Sequence, residues 1–103
     1  MSGLQSKTAL ITGAGRGIGR TIALAYAREG ANLSLAARNT LELEETARFC
    51  EKEGAEVVIA PTDVTDSVQV KKLVAVTVDR FSTIDILVNN AGIAGPLGSL
   101  EDN

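Results

Sequence analysis

The sequence predicts an α/β fold: a parallel sheet of strand order 3-2-1-4 flanked by helices, present as a partial unit of the form βαβαβαβ. Three observations predict it. Short apolar runs alternate with stretches of helical period along most of the chain. Each intervening stretch is long enough to carry a right-handed crossover between parallel strands. The first of these crossovers opens on four alternating glycines, Gly13, Gly15, Gly17 and Gly19.

Thr8-Ala9-Leu10-Ile11-Thr12 reads as a buried strand closed by glycine. From Gly17 to Glu29 the period changes to helical, with Ile18, Ile22, Ala25 and Tyr26 on one expected inward face and Gly30 as the stop. Asn32 to Ala37 is the second strand. Arg38-Asn39-Thr40 is a turn that supplies a helix cap, and Leu43, Ala47 and Cys50 mark the buried face of the second helix, which Gly54 ends. Val57-Val58-Ile59-Ala60 is continuous and largely β-branched, as in a strand covered on both faces, and Pro61 ends it. After Thr65-Asp66 a third helix is expected to turn Val70, Val74, Val78 and Phe81 inward. Asp85-Ile86-Leu87-Val88-Asn89 is the fourth strand. The tail 93–103 contains Gly95-Pro96 and Gly98, shows no period and is expected to be irregular.

Composition bounds the function. At 103 residues the chain is expected to hold one domain, 1–103, with a modest core. Its 45% hydrophobic and 22% charged residues are ordinary for a globular chain, and one cysteine excludes a disulfide scaffold. A net charge of -3 and 3% aromatics argue against nucleic acid as partner. With no histidine and one cysteine, no metal site is expected. No apolar run approaches the ~20 residues of a membrane span, and Met1 to Lys7 is polar, so a cytoplasmic location without membrane association is expected. Cys50 is expected to be a buried apolar residue, and Glu42-Leu43-Glu44-Glu45 part of a solvated helix face.

The glycine turn carries the chemistry. A tight strand-to-helix turn needs positive φ, a pyrophosphate must approach backbone unobstructed by a Cβ, and the helix must pack close to the sheet. The helix N-terminus then offers unpaired N–H groups and a positive dipole end to the phosphates. The general G-x-G-x-x-G pattern does not fit, and no Gly-Lys-Ser/Thr follows as a P-loop requires. The pattern that fits is T-G-x-x-x-G-x-G, on Thr12, Gly13, Gly17 and Gly19. A Rossmann-type dinucleotide-binding domain is therefore expected.

Two further markers stand in register with this turn: Asp63-Val64 after the third strand and Asn89-Asn90-Ala91-Gly92 at the end of the fourth. With all three, the chain resembles the short-chain dehydrogenase/reductase family from about Lys7 to Gly95. It resembles the short branch: the extended branch would need glycine where Arg16 stands. The resemblance implies a nicotinamide coenzyme and hydride transfer between it and a carbonyl or alcohol. It implies coenzyme contacts from Gly13, Gly15, Arg16, Gly17, Ile18 and Gly19. It assigns the adenine amino group to Asp63, the cover of the ring to Val64, and strand support and ribose contact to Asn90, Ala91 and Gly92.

An NAD-preferring fold carries an acid near the end of the second strand. Here Ala37 stands at that place and Arg38 follows, while Arg16 sits inside the glycine turn. Two guanidinium groups suit a 2′-phosphate, so NADP(H) is expected over NAD(H).

The resemblance also implies a Tyr-x-x-x-Lys pair and an upstream serine. The one tyrosine, Tyr26, has Gly30 four residues later, and Ser82 and Ser99 stand in the wrong places. No residue of this chain is therefore expected to be catalytic. The expectation is a coenzyme-binding half that is inactive by itself, a carbonyl or alcohol substrate being a partner only of a longer parent chain. The fourth strand would then be an exposed sheet edge through which chains could associate. The alternative function is a non-catalytic module that binds a dinucleotide or pairs through that edge.

Overall fold

A computed structural model describes residues 3–90. Seven elements follow in order: β1 (Thr8–Thr12), α1 (Gly17–Arg28), β2 (Asn32–Ala37), α2 (Thr40–Lys52), β3 (Val57–Pro61), α3 (Ser67–Phe81) and β4 (Ile86–Asn89). The strands form one parallel sheet in the order β3-β2-β1-β4, as the alternation of elements predicts. The tail 93–103 lies outside the described residues. None of the helices among the described residues is long and apolar enough to cross a membrane.

Strand alternation sorts the core into two layers. Ala9 and Ile11 of β1 and Leu33 and Leu35 of β2 face α1 and α2, where they meet Ala23, Ala27, Leu43 and Cys50 in the larger cluster. Leu10 and Ala36 point to the other face and meet Leu73 of α3. On that second face Thr77 Oγ1 donates to the Leu73 carbonyl at 2.8 Å, and Ser34 Oγ lies 2.6 Å from it, so the Ser34 hydroxyl is the donor to Thr77. This buried pair satisfies two hydroxyls where the sheet meets α3.

The register of β1 against β4 is anchored at its start. Thr8 N–H donates to Asp85 Oδ2 at 2.8 Å, and Asp85 N–H returns a bond to the Thr8 carbonyl at 2.9 Å. Both later helices have side-chain caps, the first of them in the turn Arg38-Asn39-Thr40 where the sequence predicts one. Asn39 Oδ1 accepts from Glu42 N–H at 2.9 Å, and Asp66 Oδ1 accepts from Val68 N–H at 2.9 Å.

Three expectations about burial need correction. In α1 the buried residues are Gly19, Ala23 and Ala27, whereas Ile18 is 70% exposed. The helix lies so close to the sheet that its contact stripe admits only small side chains, and the larger Ile22 and Tyr26 pack at its flank. In α3 the inward residues are Val70, Leu73 and Thr77, with Val74 and Val78 exposed. A polar threonine takes an inner position because Ser34 waits opposite it. The residues of β3 through Ala60 are only partly buried, because among the described residues β3 pairs with β2 alone.

Candidate coenzyme site

A cleft of about 530 Å³ opens where the carboxyl ends of β1, β2 and β3 meet the helices that follow them. This is where an open α/β sheet places its ligands. Its walls are Gly13, Gly15 and Arg16 of the glycine turn, Ala37, Arg38 and Asn39 after β2, Glu42 of α2, and Thr62 and Val64 after β3.

The turn is built as its glycines require. Gly13 and Gly17 have φ of 62° and 60°, in the left-handed region. Gly19 is in the helix and meets a different demand. A Cβ there would run into the Gly13 carbonyl group and come within 2.9 Å of Asn90 Nδ2. Gly15 keeps open a space bounded by Glu42 and Ala37, whose Cβ atoms lie 3.0 and 3.6 Å from where its own Cβ would stand. Arg16 is the N-cap of α1 and provides no side-chain cap, so the first N–H groups of the helix are left for another acceptor.

Side chains distant in sequence fix this loop. Ala14 N–H donates to the Ala36 carbonyl at 3.0 Å. Asn90 Nδ2 donates to the Gly13 carbonyl at 3.3 Å, and Asn90 N–H to Thr12 Oγ1 at 2.9 Å. Thr12 Oγ1 in turn donates to Asn89 Oδ1 at 2.9 Å. The end of β4 is thereby clamped to the glycine turn. Asn90 therefore supports the turn from the strand end, while Ala91 and Gly92 lie outside the described residues.

Arg20 and Thr46 escape the sequence reading. Arg20 donates to the Gly15 carbonyl at 2.6 Å, to Thr46 Oγ1 at 2.8 Å and to the Glu42 carbonyl at 3.3 Å, and pairs with Glu45 at 3.0 Å. Thr46 Oγ1 adds a second bond to the Gly15 carbonyl at 3.1 Å. An arginine one residue past the glycine run is the sequence signal, but apart from Gly15 its partners lie far along the chain on α2.

The charged candidates converge at the rim. Arg38 Nη2 lies 3.3 Å from Asp63 Oδ1, and Arg16 Nε lies 4.0 Å from Glu42 Oε2. Arg16 and Arg38 are 81% and 69% exposed, so solvent screens both pairs and each contributes little by itself. Asp63 Oδ1 also accepts from Thr65 Oγ1 at 2.6 Å and Thr65 N–H at 2.9 Å. These Thr65 bonds, with the nearby Arg38, hold its carboxyl below the usual carboxylate range. A lowered folded-state value stabilises the fold above the ordinary carboxylate range, and that stabilisation is lost as pH falls through the lowered value. Asp63→Asn is accordingly expected to weaken the fold near neutrality and to flatten the acid limb of a melting-temperature profile. An unchanged acid limb would show that Asp63 has no share in it.

Val64 is buried at 6% exposure and lines the cleft, whereas Ile18 points away into solvent and is not among its wall residues. Cys50 is fully buried, and burial pushes its thiol up to about 11, so it packs as an apolar residue. No cluster of three or more metal-ligating side chains occurs among the described residues.

A parallel sheet of order 3-2-1-4, a glycine turn running into an uncapped helix and a cleft at the strand ends define a Rossmann-like unit. The profile of the short chain dehydrogenase family matches residues 7–103, and the chain belongs to that family. Sepiapterin reductase of Chlorobaculum tepidum is 42% identical over 90% of this chain and 41% of its own length. Sorbitol dehydrogenase of Cereibacter sphaeroides is 46% identical over 87% of this chain and 34% of its own. Among solved structures, a short chain dehydrogenase from Mycobacterium paratuberculosis bound to NAD superposes with a TM-score of 0.82 at 33% identity, over 90% of this chain and 39% of that one. The chain thus spans between 34% and 41% of the length of these three proteins.

Proposed function

We propose that the chain is the coenzyme-binding part of an NADP(H)-dependent oxidoreductase of the short-chain type, which moves hydride between nicotinamide and a carbonyl or alcohol. The observation that carries this reading is the cleft in which the glycine turn, the uncapped α1 N-terminus and two arginines meet. The residues present fit a dinucleotide: a Cβ at Gly15 would fill the space that Ala37 and Glu42 bound in the cleft wall.

In this reading the backbone of Gly13 to Gly19 and the N-terminus of α1 receive the pyrophosphate. Val64 covers the adenine and Asp63 accepts from its amino group. Arg16 and Arg38 hold the 2′-phosphate, Arg38 exchanging its pairing with Asp63 for the phosphate. Asn90, with Ala91 and Gly92, supports the strand end beside the ribose. The nicotinamide supplies the hydride. Proton transfer to the substrate oxygen falls to a Ser, Tyr and Lys set that these 103 residues do not hold, so the chain by itself is inactive.

The test is a titration of the 103-residue chain with NADPH and NADH, read by nicotinamide fluorescence and by the melt. Saturable binding that favours NADPH is expected, weakened about tenfold for NADPH by Arg38→Ala. Preference for NADH, or indifference to Arg38→Ala, would overturn the assignment of the 2′-phosphate. Turnover of NADPH above background with ketones, aldehydes or 3-oxoacyl compounds would overturn the claim of inactivity.

A further inference from the structure

We propose that Glu42 tunes the selectivity of the cleft at the ribose 2′ position, its carboxylate accepting from a 2′-hydroxyl and opposing a 2′-phosphate. The inference rests on the reading of the cleft as a dinucleotide site and adds a residue that the pattern after β2 does not reveal.

Glu42 sits in the first turn of α2, yet it lines the same cleft as Arg16 and Arg38. Its Oε1 stands 3.3 Å from the point a Cβ on Gly15 would occupy, so the carboxylate borders the space that this glycine leaves open. Its Oε2 faces Arg16 at 4.0 Å, one of the two cations available to a phosphate. The residue is also held in place. Its N–H caps onto Asn39 Oδ1 at 2.9 Å and its carbonyl accepts from Arg20 at 3.3 Å. The Glu42 side chain is 34% exposed against 81% for Arg16, so the carboxylate is the better enclosed partner of the pair.

The charges at this rim cancel: Arg16 stands against Glu42, and Arg38 against Asp63. A 2′-phosphate of about −1.5 to −2 charge must separate those pairs and settle beside the Glu42 carboxylate. A 2′-hydroxyl meets no such opposition and finds an acceptor. The two arginines therefore yield a muted preference for NADPH, and Glu42 is what mutes it.

The experiment titrates NADPH and NADH into the 103-residue chain and into Glu42→Gln, which keeps size and an acceptor oxygen while removing the charge. NADPH is expected to bind about five- to tenfold more tightly to the variant, as for one charge removed from a partly screened site. NADH is expected to bind equally or about twofold more weakly. The gain for NADPH should shrink in 1 M salt, where the Debye length is about 3 Å. If both coenzymes bind both proteins and their ratio moves by less than about twofold, the inference is overturned while the dinucleotide reading stands. If the unaltered chain binds neither coenzyme, the dinucleotide reading falls and the inference falls with it.

Discussion

Gly19→Ala is expected to lower the melting temperature by on the order of 10 °C and to abolish measurable binding of NADPH. Alanine in place of glycine within a helix ordinarily gains about 1 kcal/mol. At this position the new methyl group would meet the carbonyl of Gly13, which is backbone at the tightest point of the turn. Backbone yields less than a side-chain end, and overpacking of this kind costs about 1–3 kcal/mol or more. The collision also reaches Asn90, whose amide holds the same carbonyl, so the clamp between β4 and the turn opens together with the α1–β1 contact. At about 4–8 °C per kcal/mol for a domain of this size, a net loss of ~2 kcal/mol gives the stated shift. Gly17→Asn is the contrast. Gly17 has φ of 60° and open space around its Cα, and asparagine tolerates that region, so only a small change is expected. If Gly19→Ala melts no lower than Gly17→Asn, close approach is not what Gly19 provides.

That contrast separates what the sequence makes legible from what it hides. Strand positions were readable because parallel strands are apolar runs bounded by turn residues, and all four strands of the sheet fall where those runs stand. The glycine turn was readable because positive φ and close approach leave few residue choices. Helix faces were less readable. In α1 the larger apolar residues suggest an inward stripe through Ile18, and in α3 the fourfold spacing of the valines suggests one through Val74, but the contact stripes run through Ala23 and Leu73. Side-chain size misleads wherever the packing distance is short, since a close helix selects alanine and glycine. Threonine misleads where a buried hydroxyl has a partner, as Thr77 has in Ser34. The cleft was half legible. Of the residues expected to touch a coenzyme, Gly13, Gly15, Arg16, Arg38 and Val64 line it, whereas Gly17, Ile18, Gly19, Asp63 and Asn90 are not among its walls. Glu42 reads as one of three acids on a solvated helix because nothing local shows that α2 begins beside Gly15. Asp63 and Arg38 were read in separate roles, and their contact at 3.3 Å is a property of the fold.

Arg20→Met is expected to cost about 2–3 kcal/mol of stability and to weaken NADPH binding about tenfold at a temperature where the chain remains folded. The guanidinium, carried on α1, joins the turn to α2: it bonds the Gly15 carbonyl in the turn and the Glu42 carbonyl, Thr46 Oγ1 and the Glu45 carboxylate on α2. It also lies over the Phe49 ring, 5.4 Å from its centroid. Methionine replaces the apolar stem but none of the donors, leaving Thr46 at 3.1 Å as the partner of a carbonyl that had two. Lysine retains the charge but not the planar fork that reaches Thr46 and Gly15 together, so Arg20→Lys should recover part of the stability and little of the affinity. Cys50→Ala is the control, because it opens a cavity on α2, the helix that Arg20 grips, without touching the turn. Both variants should melt low, and only Arg20→Met should lose affinity. Equal affinities in the two would make Arg20 a brace for α1 and α2 alone. Unequal affinities would mean that the shape of the phosphate turn depends on a side chain that never enters the cleft.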